Sequence, residues 1–149
     1  MGIRWTSALS VGVEELDAGH AELFERVDRL LDAILKQDRS EAGRLLAFLR
    51  SYVRHHFVVE EDLMRDRGYP APLRAAHETE HALFAQQLDR LEAEFAASGP
   101  TARLVHALER QVVGWLEDHI FVTDQALGRF LAQGSPGRSP PAPRERLGA

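Results

Sequence analysis

Four stretches of this chain repeat apolar residues at helical spacing, and each carries histidine on its apolar stripe. The first, about residues 13–37, runs Val13, Leu16, Leu23, Val27, Leu30 and Ile34, with His20 in its widest gap. The second, about 41–66, runs Leu45, Leu49, Tyr52 and Leu63, with His56 and Glu60 between them. The third, about 71–97, runs Leu73, Phe84, Leu88, Leu91 and Phe95, with His77 and His81 on the same face. The fourth, about 102–133, runs Leu108, Val112, Trp115, His119, Asp124, Leu127 and Leu131. Steps of three and four line up side chains on one side of an α-helix, and such a stripe must be buried against another element. Ser40 and Thr101 are the expected N-caps of the second and fourth helices. Gly68-Tyr69-Pro70 and Ser98-Gly99-Pro100 break the chain between helices. Long helices joined by short breaks predict an all-α, antiparallel up-down-up-down four-helix bundle. Residues 1–12 show no helical period and predict an N-terminal arm anchored by Trp5. Residues 134–149, rich in proline, glycine and arginine, predict a disordered tail after a single domain spanning 1–133.

The fourth stripe has one irregularity. From His119 to Asp124 the step is five, which lands about 140° round an α-helix rather than on the same face. A single wide π-turn would restore the phase, and such turns concentrate at functional sites. Local distortion is therefore expected between His119 and Asp124.

Composition excludes several kinds of chemistry. The chain has no cysteine, so thiolate zinc sites, iron–sulfur clusters and cysteine catalysis are impossible. Net charge is −5, and the tail's three arginines and one glutamate leave −7 on residues 1–133, which argues against nucleic-acid binding. No apolar run approaches the ~20 residues needed to span a bilayer. No secretory signal opens the chain, so a cytoplasmic location and no membrane partner are expected. Met1 to Thr6 also fits a loose myristoylation spacing, but an ordinary N-terminus is preferred.

Five of the seven histidines thus fall on apolar faces, with two acids at matching positions. Residues four apart on a helix have Cβ atoms about 5–6 Å apart, so His56/Glu60 and His77/His81 can each serve one centre. A lone histidine on such a face is ordinarily a hydrogen-bonded core residue. Burying five imidazoles and two carboxylates together without a cation would cost several kcal/mol for each unpaired group. Imidazole nitrogens with carboxylate oxygens form a ligand set for first-row transition metals. His20, His56, Glu60, His77, His81, His119 and Asp124 are the candidate ligands. His55 and His106 lie off the stripes and are expected to be solvated.

These motifs resemble the hemerythrin-like family, of bacteriohemerythrin type. The similarity covers about residues 5–131. It rests on Trp5, Ser10-Val-Gly-Val-x-x-Leu-Asp-x-Gly-His20 and His56-Phe-x-x-Glu-Glu-x-Leu-Met64. It continues through Gly68-Tyr-Pro70, His77-x-x-x-His-x-x-Phe84 and Trp115-Leu-x-x-His-Ile-x-x-x-Asp124. The resemblance implies two iron ions per chain in a non-haem, oxo- or hydroxo-bridged di-iron centre. His77, His81 and His119 would hold one iron, His20 and His56 the other, and Glu60 and Asp124 would bridge them. One coordination position is then left open on the two-histidine iron, where O2 would bind. Leu23, Phe57, Trp115, Leu116 and Ile120 are implied to line the O2 pocket, besides packing the core.

Carboxylate-rich di-iron bundles use about four glutamates and two histidines. Here the neutral ligands outnumber the anionic ones, which favours reversible binding over oxidation by high-valent iron. The expectation is therefore oxygen carriage, delivery or storage without enzymatic turnover. The alternatives are an oxygen- or redox-sensing module acting through the arm or tail, and a di-iron enzyme handling peroxide or nitric oxide. Two positions depart from the family pattern. Gly19 stands where many members have a larger polar residue, and Leu127 where many have tyrosine. Both bear on the hydrogen bonding around the ligands.

Overall fold

The computed structural model describes residues 4–133. The expected tail and the myristoylation pattern's first residues lie outside the described residues. Among the described residues, a short 3-10 turn, Ser7–Leu9, leads into helices α1 (Glu14–Leu35), α2 (Arg39–Asp66) and α3 (Ala71–Ser98). The fourth rod is segmented into α4 (Ala102–Leu108), α5 (Gly114–Asp118) and α6 (Gln125–Ala132). Its joints are π-helical turns at Glu109–Val113 and His119–Asp124, and the residues at every joint keep right-handed helical dihedrals, so the rod is continuous. The expected four-helix bundle is what the chain forms: α1 packs on α2 and α4, and α3 packs on α2 and α4.

The connections are tight because the helix ends satisfy their own backbone groups. After α1, Gln37 N–H donates to Ile34 O and Asp38 N–H to Ala33 O, both at 3.0 Å. This doubly hydrogen-bonded stop needs a left-handed residue, and Gln37 supplies it at φ 59°. Asp38 follows at once and caps α2 by accepting from Glu41 N–H at 3.0 Å. The cap is thus Asp38 rather than the expected Ser40, which lies inside the helix. After α2 the same stop recurs with Gly68 at φ 71°, where Tyr69 N–H reaches Met64 O at 2.8 Å. Thr101 caps α4 as expected, accepting from Leu104 N–H at 3.1 Å.

Between the helices, Leu16, Leu23, Val27, Leu30, Leu49, Val53, Phe84, Leu88, Leu108, Val112 and Leu127 form a continuous buried core. Leu73 departs from its expected place on the stripe of α3. It is 53% exposed, because it belongs to the first turn of that helix, at its end. His55 and His106 are exposed, as expected.

The arm is held by specific contacts. Asp17, in the first turn of α1, accepts from Ser10 Oγ at 2.5 Å and Val11 N–H at 2.8 Å. Gln125 Nε2 donates to Ser10 O at 3.3 Å, tying the arm to α6. Trp5 packs partly buried against the core. Gly128 makes this docking possible, since a Cβ there would lie 1.9 Å from Val11 O.

Candidate metal centre

The four rods each carry part of one buried cluster. His20 comes from α1, His56 and Glu60 from α2, His77 and His81 from α3, and His119 and Asp124 from the second π-turn. All seven are at most 5% exposed, although all are polar or charged. The π-turn explains how the five-residue step works. Its extra residue brings His119 and Asp124 onto the same interior face, and their Nε2 and Oδ1 atoms approach to 3.2 Å. The distortion expected from the sequence is thus present.

The candidate ligand atoms form two groups, each within 4.8 Å: His77, His81, His119, Glu60 and Asp124, and separately His20, His56 and Glu60. Glu60 belongs to both. Its Oε1 lies 2.7 Å from His56 Nε2 and 3.1 Å from His20 Nε2, and its Oε2 3.1 Å from His77 and His81 Nε2. Asp124 spans the groups as well, with Oδ2 3.1 Å from His20 Nε2 and Oδ1 3.0 Å from His77 Nε2.

Hydrogen bonds alone do not satisfy this cluster. An imidazole Nε2 carries at most one proton, yet His20 and His77 Nε2 each stand about equally far from both carboxylates. His81 and His119 turn their Nε2 atoms toward each other at 3.2 Å. Both Asp124 oxygens and His56 Nε2 are buried and make no well-directed hydrogen bond, although ion-pair partners stand within 3.2 Å of each. Ligand atoms aimed at a shared space rather than at each other fit a bound cation, which would satisfy several of them at once.

The charges respond in kind when no cation is present. Burial opposes charge on His20, but hydrogen bonds and attraction from Asp124 and Glu60 outweigh it and lift its pKa to about 9. The same balance brings His77 to about 9. Burial dominates at His81 and lowers its pKa. At Glu60 burial acts upward, but the bonds from His20, His56, His77 and His81 hold the carboxyl well below its usual range. Asp124 is likewise lowered, against both burial and the charge of Glu60, by His119, His20 and His77.

Around the cluster, rings restrict motion. Phe57 stacks on His81 with centroids 3.7 Å apart and planes 3° from parallel. Trp115 stacks on His119 at 4.3 Å and 12°, and on Phe84 at 4.1 Å. Leu23, Leu116 and Ile120 are buried in the same core.

Two residues that the sequence reading passed over join the site. Glu80 Oε1 is 3.3 Å from His119 Nδ1, and Thr123 Oγ1 donates to both Glu80 oxygens at 3.0 Å. With the ring proton on Nδ1, His119 donates to Glu80 and presents Nε2 to the interior. Such outer carboxylates orient ligand histidines and raise their basicity. The available signal was Thr123 standing four residues after His119 on one helix.

A bundle with a buried histidine–carboxylate cluster of this kind defines a class of metal-binding helical protein, and comparison with known proteins narrows it. The profile of the hemerythrin HHE cation binding domain matches residues 11–131. The chain belongs to the hemerythrin family. It is 33% identical over 129 residues to a bacteriohemerythrin of Methylococcus capsulatus, covering 86% of this chain and 95% of the relative. A bacteriohemerythrin of Aquifex aeolicus is 30% identical over 133 residues, covering 88% and 98%. One from Stenotrophomonas maltophilia is 29% identical over 122 residues, covering 82% and 76%. A solved crystal structure of a leucine-to-phenylalanine variant superposes with a TM-score of 0.77 at 31% identity, covering 89% of this chain and 99% of that one. Among the described residues, no helix is long and apolar enough to cross a membrane.

Proposed function

We propose that this protein binds O2 reversibly at a non-haem di-iron centre, for oxygen carriage, delivery or storage. His77, His81 and His119 would hold one iron and His20 and His56 the other, with Glu60 and Asp124 shared between them. The observation that carries this reading is the shared, buried carboxylate. Glu60 faces histidines of both groups, and neither group can be satisfied by hydrogen bonds alone. When bound, such a centre would supply reversible two-electron chemistry toward a small ligand such as O2.

The chain's own residues shape the surroundings of the centre. Phe57 and Trp115 lie flat on His81 and His119, so these rings cannot turn freely and water is kept from them. Glu80, locked by Thr123, holds the Nδ1 proton of His119 on the outside of the cluster. Leu23, Leu116 and Ile120 give the pocket an apolar lining, and a dry pocket slows proton leakage to a bound ligand. The excess of neutral imidazoles over carboxylates disfavours the high-valent oxidation that anionic ligands support.

Cycling the iron-loaded protein between argon and air, with its visible spectrum recorded, tests this reading. A charge-transfer band that appears with oxygen and disappears on its removal, at about two irons per chain, is the expected result. Irreversible bleaching on first exposure, or sustained turnover of peroxide or nitric oxide well above that of free iron, would replace binding with an enzymatic role.

A further inference from the structure

Gly19 sits within α1, immediately before His20. Glycine in a helix interior costs about 1 kcal/mol relative to alanine, so its presence there calls for a local reason. The usual one is close approach of another group to the backbone. Here that group is a ring from α2. A Cβ at position 19 would lie 2.6 Å from His56 Nδ1 and 2.7 Å from its Cε1, well inside contact distance.

The His56 ring is therefore held between two surfaces. On one side is the bare backbone of α1 at Gly19. On the other, its Nε2 stands 2.7 Å from Glu60 Oε1, and its ring meets His20 edge-on at 4.8 Å. His20 and His77 each reach both carboxylates, whereas His56 contacts Glu60. Among the described residues, nothing stacks flat on His56 in the way that Phe57 covers His81. Its placement depends on the seat beneath it.

We infer that Gly19 is the positioning residue for His56, and that the missing side chain at 19 sets the metal position beside His20 and His56. The inference rests on the metal-centre reading above. A side chain at 19 drives the ring off its seat. In the metal-free protein, displacing the ring loses its contact with Glu60, a loss offset in part by the helix, which gains on losing a glycine. In the metal-bound protein the ring must stay, so the substitution acts on the metal. Stability and metal affinity should move apart.

The test is Gly19→Ala, titrated anaerobically with Fe(II) and separately with Zn(II) as a redox-silent probe. Thermal melts of the metal-free protein run alongside. The metal-free variant should melt within a few degrees of the parent. Its first metal should bind as in the parent, and its second roughly tenfold or more weaker. In a His56→Ala background, adding Gly19→Ala should change metal affinity no further, because no ring remains to be displaced. Full retention of both metals by Gly19→Ala overturns the inference while leaving the centre intact. So does a further loss of affinity in the His56→Ala background, which would place the effect elsewhere. A parent that takes up neither metal overturns the centre and this inference together.

Discussion

Removing the metal should reverse how this protein's stability depends on pH. In the metal-free fold, His20 and His77 keep their protons up to about pH 9, against 6.5 for an unperturbed histidine. Below pH 6.5 both the folded and unfolded chains hold these protons, and their attraction to Asp124 and Glu60 is fully present. Between 6.5 and about 9 the unfolded chain releases them and the fold does not, so stability falls as pH rises. One histidine moved from 6.5 to about 9 is worth roughly 3 kcal/mol. The second adds less, because it shares the same carboxylates. At about 3–5 °C per kcal/mol for a domain of this size, the melting midpoint should drop by roughly 10–15 °C between pH 6.5 and 9.5. On the acid side, Glu60 and Asp124 are held below their usual range, so their contribution is lost as they are protonated. His81, kept neutral by burial, costs stability once pH falls below 6.5. The metal-free maximum should therefore lie between about pH 5 and 6.5. Bound metal inverts the alkaline slope, because protons and metal compete for the same nitrogens. Circular-dichroism melts of chelator-treated and metal-loaded protein would show the gap between them widening from pH 6 to 9. A metal-free midpoint that is flat or rises across 6.5–9.5 would refute this electrostatic account of the cluster.

Substitutions at three other positions have defined outcomes. Glu80→Ala should weaken metal binding roughly tenfold or more and raise the reduction potential, by removing the acceptor that orients His119. Spectroelectrochemistry checks this, and Glu80→Gln should fall between the variant and the parent. Gly128→Ala should cost about 1–3 kcal/mol, because its Cβ has no room beside Val11 O; chemical denaturation measures the loss, and faster proteolysis of the arm should accompany it. Gln37→Gly should stabilise the fold by roughly 1 kcal/mol, since Gln37 holds a left-handed conformation that glycine adopts freely; a shift in the urea midpoint with unchanged slope would show it.

The bundle and its buried cluster were legible because both follow from periodicity. His20, His56, Glu60, His77, His81 and His119 fall where apolar residues would otherwise be. Asp124 was legible through its misfit, since a step of five demands an extra residue in the turn. The first π-turn, at Glu109–Val113, left no such mark. Leu108 and Val112 stand four apart with Trp115 three further on, and the stripe reads as an unbroken α-helix. Asp38 was missed because the N-cap position depends on where α1 stops, and Gln37 stops it without a glycine or proline to announce it. Glu80 and Thr123 look like a solvated polar face until α3 and the fourth rod are brought together. Gly128 and Gly19 matter through what approaches them from another element, which local sequence does not record.

Anomalous diffraction at the iron edge, from crystals of the iron-loaded protein, tests the central claim most directly. Two peaks are predicted in the bundle interior, one among His77, His81 and His119 and one beside His20 and His56, with the Glu60 and Asp124 carboxylates between them. A single peak, or iron bound at surface carboxylates with this cluster empty, would contradict it.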